Sequence, residues 1–104
     1  MNIGFVVTTL GRIAPLRALL TSLADQLRPG DHVVLVAQGA QEDVAALAAE
    51  FAANGVPVTA TTSGRGASLG RNTGVAALPE GDAVVTFPND NTTYPPGTVR
   101  ALHA

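Results

Sequence analysis

Ile3-Gly4-Phe5-Val6-Val7-Thr8 is a short, β-branched apolar run, and a second one, His32-Val33-Val34-Leu35-Val36, follows it after one helical stretch. The order of these pieces decides the fold. An apolar run without alternation predicts a strand buried on both faces, as in a parallel sheet. Between the runs, Ile13 to Leu27 places Ile13, Leu16, Leu19, Leu20, Leu23 and Leu27 on one stripe of a helix. Arg28-Pro29-Gly30-Asp31 ends that helix, because Pro and Gly continue a helix only at a cost. Strand, helix and strand in this order predict a parallel pair joined by a right-handed crossover.

The alternation extends outward from this unit. Gln41 to Asn54 reads as a second helix, with Val44, Leu47, Ala48 and Phe51 at i, i+3, i+4 and i+7 spacing. Glu42 and Asp43 oppose the positive end of its dipole, and Gly55 suits the position after its cap. Val56 to Thr61 is a third strand, Thr62 to Gly66 a Gly- and Ser-rich loop, and Ala67 to Leu78 a third helix stopped by Pro79. Ala83 to Phe87 is a fourth strand, Pro88 to Tyr94 a polar loop, and Pro95-Pro96 opens a last helix. The fold class is α/β: one domain over residues 1–104, with an open, mainly parallel sheet and helices on both faces. Ligands of such sheets sit beyond the carboxyl ends of the strands. That directs attention to Thr8–Arg12, Ala37–Gln41, Thr62–Asn72 and Pro88–Tyr94.

Composition narrows the function. Apolar residues make up 46% of the 104 and aromatic ones only 4%, so the core is built from Ala, Val and Leu. Charged residues are 13%, a low share that suggests a partly covered surface. Net charge is -2 without a basic cluster, which argues against nucleic-acid binding through phosphate neutralisation. Lys is absent, and with it any Walker A lysine; Cys is absent, and with it disulfides and Cys-based zinc sites. Met1-Asn2-Ile3-Gly4-Phe5-Val6-Val7 lacks a basic n-region and a cleavage signature and reads as a first strand, and no run approaches the ~18 apolar residues of a membrane span. A cytoplasmic location is the expectation.

Four segments carry the candidate chemistry. In Pro88-Asn89-Asp90-Asn91, one carboxylate flanked by two amides at a strand's carboxyl end suits a hard divalent cation. The same residues also suit an ordinary polar turn. Gly64-Arg65-Gly66-Ala67-Ser68-Leu69-Gly70-Arg71 leads into a helix, where backbone N–H groups can meet phosphate and Arg71 can clamp it. A flexible loop with glycines for close packing fits it equally. Thr8, Thr9 and Arg12 can contact a nucleoside or simply form a strand-to-helix turn. Gln38 can read a base edge or stand in solvent. His32 and His103 lack partners at metal-ligand spacing and are read as structural.

Taken in order, the four segments resemble the nucleotide-sugar-binding half of family 2 glycosyltransferases, which have the GT-A fold. Thr8-Thr9-Leu10-Gly11-Arg12 is similar to the family's opening Pro-Thr-Tyr-Asn-Arg-like turn, and Leu19-Leu20-Thr21-Ser22-Leu23-Ala24-Asp25-Gln26 to its Leu-Leu-x-Ser-Leu-x-x-Gln helix. Gly66-Ala67-Ser68-Leu69-Gly70-Arg71-Asn72-Thr73-Gly74 is similar to its Gly-x-Ser-x-Ala-Arg-Asn-x-Gly segment. Phe87-Pro88-Asn89-Asp90-Asn91, with Tyr94-Pro95 after it, is similar to its Asp-x-Asp region. The resemblance implies an inverting, metal-dependent sugar transferase. Thr8, Thr9, Arg12, Gln38, Gly66, Arg71, Asn89 and Asp90 would bind the nucleotide-diphosphate sugar. Asp90 and Asn91 would hold Mg or Mn against the diphosphate, where the ion stabilises the leaving group's charge. Ala37 and Gln38 stand where the family has an acidic pair, and the acidic cluster is thinned to Asp90. The resemblance also implies that the acceptor-binding half and the catalytic base lie beyond residue 104.

Rival readings are a nucleotide binder without transfer activity and a receiver- or flavodoxin-like interaction domain. A receiver calls for acidic residues after the first strand and for a lysine; Thr8-Thr9 stand there, and the chain has no Lys. Self-association through an open sheet edge beside the fourth strand is a further expectation.

Overall fold

A computed structural model of the chain describes residues 2–79 and 83–103. Along these residues run β1 (Asn2–Thr9), α1 (Ile13–Ala24), β2 (His32–Ala37), α2 (Gln41–Ala53), β3 (Val58–Thr62), α3 (Ala67–Ala76), β4 (Ala83–Thr86) and α4 (Thr98–His103). The strands form one sheet in the order β3-β2-β1-β4, and every neighbouring pair is parallel. The α/β class and the parallel sheet are those expected from the alternation of apolar runs.

Strand periodicity divides the core between two faces. Ile3, Phe5 and Val7 of β1 and Val33, Leu35 and Ala37 of β2 share one face with Leu16, Leu19, Leu20 and Leu23 of α1, Val44 and Leu47 of α2 and Val99 of α4. Each fully buried Leu or Val contributes roughly 1.5–3 kcal/mol relative to exposure. The alternate residues Val6, Val34 and Val36 form a smaller cluster on the other face, with Leu78 and Val85. There α3 approaches through glycine: a Cβ on Gly74 would lie 2.2 Å from Val6 Cγ1.

Element ends differ from the sequence expectation for identifiable reasons. Helix α1 stops at Ala24, not Leu27, because the amides of Gln26 and Leu27 both return to the Leu23 carbonyl, at 2.8 and 3.2 Å. Strand β3 starts at Val58, not Val56. Pro57 has no N–H for a ladder, but its carbonyl accepts from Val33 N–H at 2.9 Å. Helix α4 starts at Thr98, not at Pro95-Pro96, because Gly97 sits at φ +88°, outside helical geometry. The Thr98 amide and hydroxyl both donate to the Pro95 carbonyl, at 3.1 and 2.7 Å.

At the amino end of the sheet, buried Asp31 accepts from Ile3 N–H at 2.9 Å, Arg28 N–H at 2.9 Å and His103 Nε2 at 2.8 Å. The carboxylate can only accept, so His103 carries its proton on Nε2. Burial pushes the Asp31 carboxyl up. The Arg28 N–H, the His103 side chain and the Ile3 N–H outweigh that and hold it below its usual range. His103 is thus structural, pinning α4 to the start of β1 and β2.

The winding positions the site. From β1 the chain steps outward to β2 and β3, then crosses back over β1 to place β4 on its other side. The winding direction reverses at β1, so the crevice between the carboxyl ends of β1 and β4 is the sheet's topological switch point.

Candidate functional site

Thr9, the last residue of β1, and Asp90, four residues beyond β4, meet at this switch point. Thr9 is buried. Its hydroxyl accepts from Gly11 N–H at 3.0 Å, which directs its own proton to Asp90 Oδ2, also at 3.0 Å. Arg12, just before α1, closes on the same carboxylate, with Nη2 2.5 Å from Oδ1 and Nε 3.4 Å from Oδ2. The Asp90 hydrogen bond and charge push the Arg12 guanidinium further up, so it stays charged. The carboxylate is 11% exposed and the guanidinium side chain 60%, so the cation is the partner that faces solvent.

The loop that carries Asp90 is fastened from α1 and the turn that follows it. Ser22 Oγ accepts the Tyr94 N–H at 2.9 Å, and Gln26 Nε2 donates to the Tyr94 carbonyl at 2.8 Å. Gln26 Oε1 accepts from Val99 N–H at 3.1 Å. The Tyr94 ring meets Phe5 edge-on, with centroids 5.6 Å apart. Ser22 and Gln26 are the polar members of the α1 pattern noted in the sequence, and their positioning role was not read from it. The available signal was two polar residues four apart, beside an apolar stripe.

Gln38 follows β2. Its Nε2 lies 3.1, 3.0 and 2.9 Å from Ser63 Oγ, the Gly64 carbonyl and the Gly66 carbonyl. An amide nitrogen has two hydrogens, so these oxygens share them and tie the loop after β3 to the end of β2. Among the described residues no donor meets Gln38 Oε1, which leaves that oxygen as an acceptor.

Thr8, Thr9, Arg12, Gln38, Asn89, Asp90 and Asn91 line one cleft of about 590 Å³, within the range of small-molecule sites. Leu10 joins them as a lining residue that the sequence reading did not single out. Gly66 contributes through its carbonyl bond to Gln38. Arg71 is not among the lining residues; its guanidinium lies over the Phe87 ring, 5.4 Å from the centroid, where β4 runs into the Asp90 loop.

The resemblance implies Mg or Mn at Asp90, which the donor set can test. Hard divalent cations take several oxygen ligands, with carboxylates prominent. Here one carboxylate is present, and its oxygens already accept from Thr9 and Arg12. Among the described residues no three His, Asp or Glu side chains gather as a metal-binding group. This arrangement does not fit a resident divalent ion.

Comparison with known proteins gives the family and the fold. The sequence profile of Glycosyl transferase family 2 matches residues 5–103. The chain belongs to that family. Among solved structures, the family 2 chain is similar to the crystal structure of S. aureus TarS, residues 1–349, with a TM-score of 0.76 at 19% identity. The match covers 99% of this chain and 31% of that one, so the chain spans about a third of the TarS structure. At this identity the likeness speaks for a shared fold, and it agrees with the GT-A arrangement expected for family 2. A search of curated proteins gave no match. No helix among the described residues is long and apolar enough to cross a membrane.

Proposed function

We propose that the chain binds a nucleotide-diphosphate sugar in the cleft between the carboxyl ends of β1 and β4, as the donor-binding part of an inverting glycosyltransferase. One observation carries the reading: Thr9 and Arg12 from the end of β1 converge on Asp90 after β4, at the sheet's switch point. Arg12 has N–H groups left over for a phosphate, and the fork of a guanidinium matches phosphate oxygens. Gln38 Oε1 suits a donor on a base edge, such as the ring N–H of uracil or guanine. The sugar would extend from the diphosphate toward an acceptor hydroxyl.

A thermal-melting screen with UDP-, GDP- and dTDP-sugars tests this. A ligand at about 100 times its Kd stabilises the native state by ~2.7 kcal/mol. One nucleotide series is expected to raise Tm; no shift with any of the three overturns the reading. A second reading, binding without transfer, draws on Asp90 being the one carboxylate among the described lining residues and being paired to Arg12. That leaves no free carboxylate among the described lining residues to take an acceptor's proton. Release of nucleoside diphosphate from the bound donor separates the two.

Self-association through β4 is proposed alongside. β4 pairs with β1, and among the described residues no strand pairs with its outer edge. Sedimentation velocity is expected to show a concentration-dependent shift; a monomer at all concentrations overturns it.

A further inference from the structure

We propose that Arg12, not a divalent metal ion, is the cation this cleft presents to a ligand's diphosphate; the inference rests on the nucleotide-sugar reading above. It starts from charge. The described lining residues hold one carboxylate, Asp90, and one guanidinium, Arg12, which sum to zero. A divalent ion entering from water meets no net negative field there. It would find one carboxylate lone pair left, on Oδ1, and would then sit beside a fixed positive charge.

Exposure points the same way. In this pair the carboxylate is the enclosed partner and the guanidinium the open one, so an approaching anion meets the cation first. Arg12 spends Nε–H and one Nη2 hydrogen on Asp90, and a guanidinium has five N–H donors, so three remain. Asp90 is then a positioning residue: it fixes the plane of the guanidinium so that the remaining donors are preset for phosphate oxygens. Thr9 supports it, because Gly11 N–H occupies the hydroxyl oxygen and leaves its proton for Asp90. The neutral neighbours Asn89 and Asn91 fit this scheme. They can hydrogen-bond a diphosphate without repelling it, whereas carboxylates at those positions would need a metal to offset their charge.

The test titrates UDP, GDP and dTDP into the chain by calorimetry, once in EDTA and once in excess manganese, with manganese alone as a further arm. The nucleotide that binds is expected to do so equally well in both media, within a factor of about three, well below the tenfold that 1.4 kcal/mol represents. Manganese alone is expected to leave Tm unchanged. Arg12→Ala is expected to weaken binding in EDTA by about tenfold or more, the scale of one charge-assisted hydrogen bond. Arg12→Lys, which keeps the charge without the fork, is expected to fall between the two. The ligand-free Tm of both variants shows whether they fold. Binding that requires manganese overturns the inference and leaves the proposed function standing, as does unchanged EDTA binding in both Arg12 variants. No binding of any nucleotide in either medium overturns both.

Discussion

The two ends of the sheet each carry one aspartate that takes three hydrogen bonds, and they use the same chemistry for opposite purposes. At the amino end, Asp31 is enclosed by two backbone amides and by His103, whose side chain is 7% exposed. At the carboxyl end, Asp90 is held by a buried hydroxyl and by an arginine open to solvent. A carboxylate whose donors are all interior fixes the chain's path and has nothing left to offer. A carboxylate whose main donor faces outward holds a charge in place for something else to meet. The partner's exposure, more than the carboxylate's own, separates scaffold from site.

The largest expected effect breaks the amino end. Asp31→Ala strands the Ile3 and Arg28 amides and leaves His103 without its partner. Each buried donor left without a partner typically costs about 1–3 kcal/mol, so the loss of all three is expected to cost about 3 kcal/mol or more. In a domain of this size each kcal/mol is worth roughly 4–8 °C in Tm, so calorimetry should show a fall of well over ten degrees, or no folded state. A loss under about 1 kcal/mol, the scale of a surface pair, would erase the contrast between the two ends.

Acid should sharpen it. The Asp31 carboxyl lies below its usual range in the folded chain, so the unfolded chain binds its proton first as pH falls. The stability it contributes is complete above the ordinary carboxylate value of about 3.9 and is lost as pH drops through the lower folded value. Urea midpoints measured at descending pH should show that acid limb in the native sequence and a shallower one in Asp31→Asn.

At the carboxyl end the stability effects are smaller. Thr9→Val keeps the shape but leaves Gly11 N–H and one Asp90 oxygen each short of a partner, an expected cost of about 1–2 kcal/mol by urea denaturation. Arg12→Ala should cost under ~1 kcal/mol, because its ion pair is exposed on one side, while its effect on nucleotide binding is large. Smallest of all, Arg17→Ala removes the surface pair with Glu50, in which both side chains are about half exposed, and should change stability by no more than about 0.5 kcal/mol. A greater stability loss for Arg12→Ala than for Asp31→Ala would invert the comparison.

The architecture was legible because each part of it is periodic. The Val-rich runs of β1 and β2 and the Leu stripe of α1 announce buried faces without reference to the rest of the chain. Element ends were less so, since Pro57 and Gly97 act through single backbone groups that no repeat reveals. The cleft was legible by position, because strand ends in an open sheet point to one edge, and Thr9, Gln38 and Asp90 all lie there. Its internal pairing was not. Arg12 and Asp90 are 78 residues apart, and His103 and Asp31 are 72 apart. A charge pair formed through tertiary structure leaves no spacing to read. Arg71 shows the same limit from the other side: its segment fits the family pattern, yet its guanidinium rests on Phe87 and does not line the cleft.

β4 has one consequence that isotope labelling would reveal. It is bonded to β1 along one side, while among the described residues its other side meets no strand. In a parallel ladder successive amides point to opposite sides, so in heavy water alternate positions of β4 should take up deuterium early. The β1 amides between β2 and β4 should stay protonated until the whole domain opens. A residue-resolved uptake curve would therefore show β4 as half fast and half slow, mapping the boundary of the sheet one amide at a time.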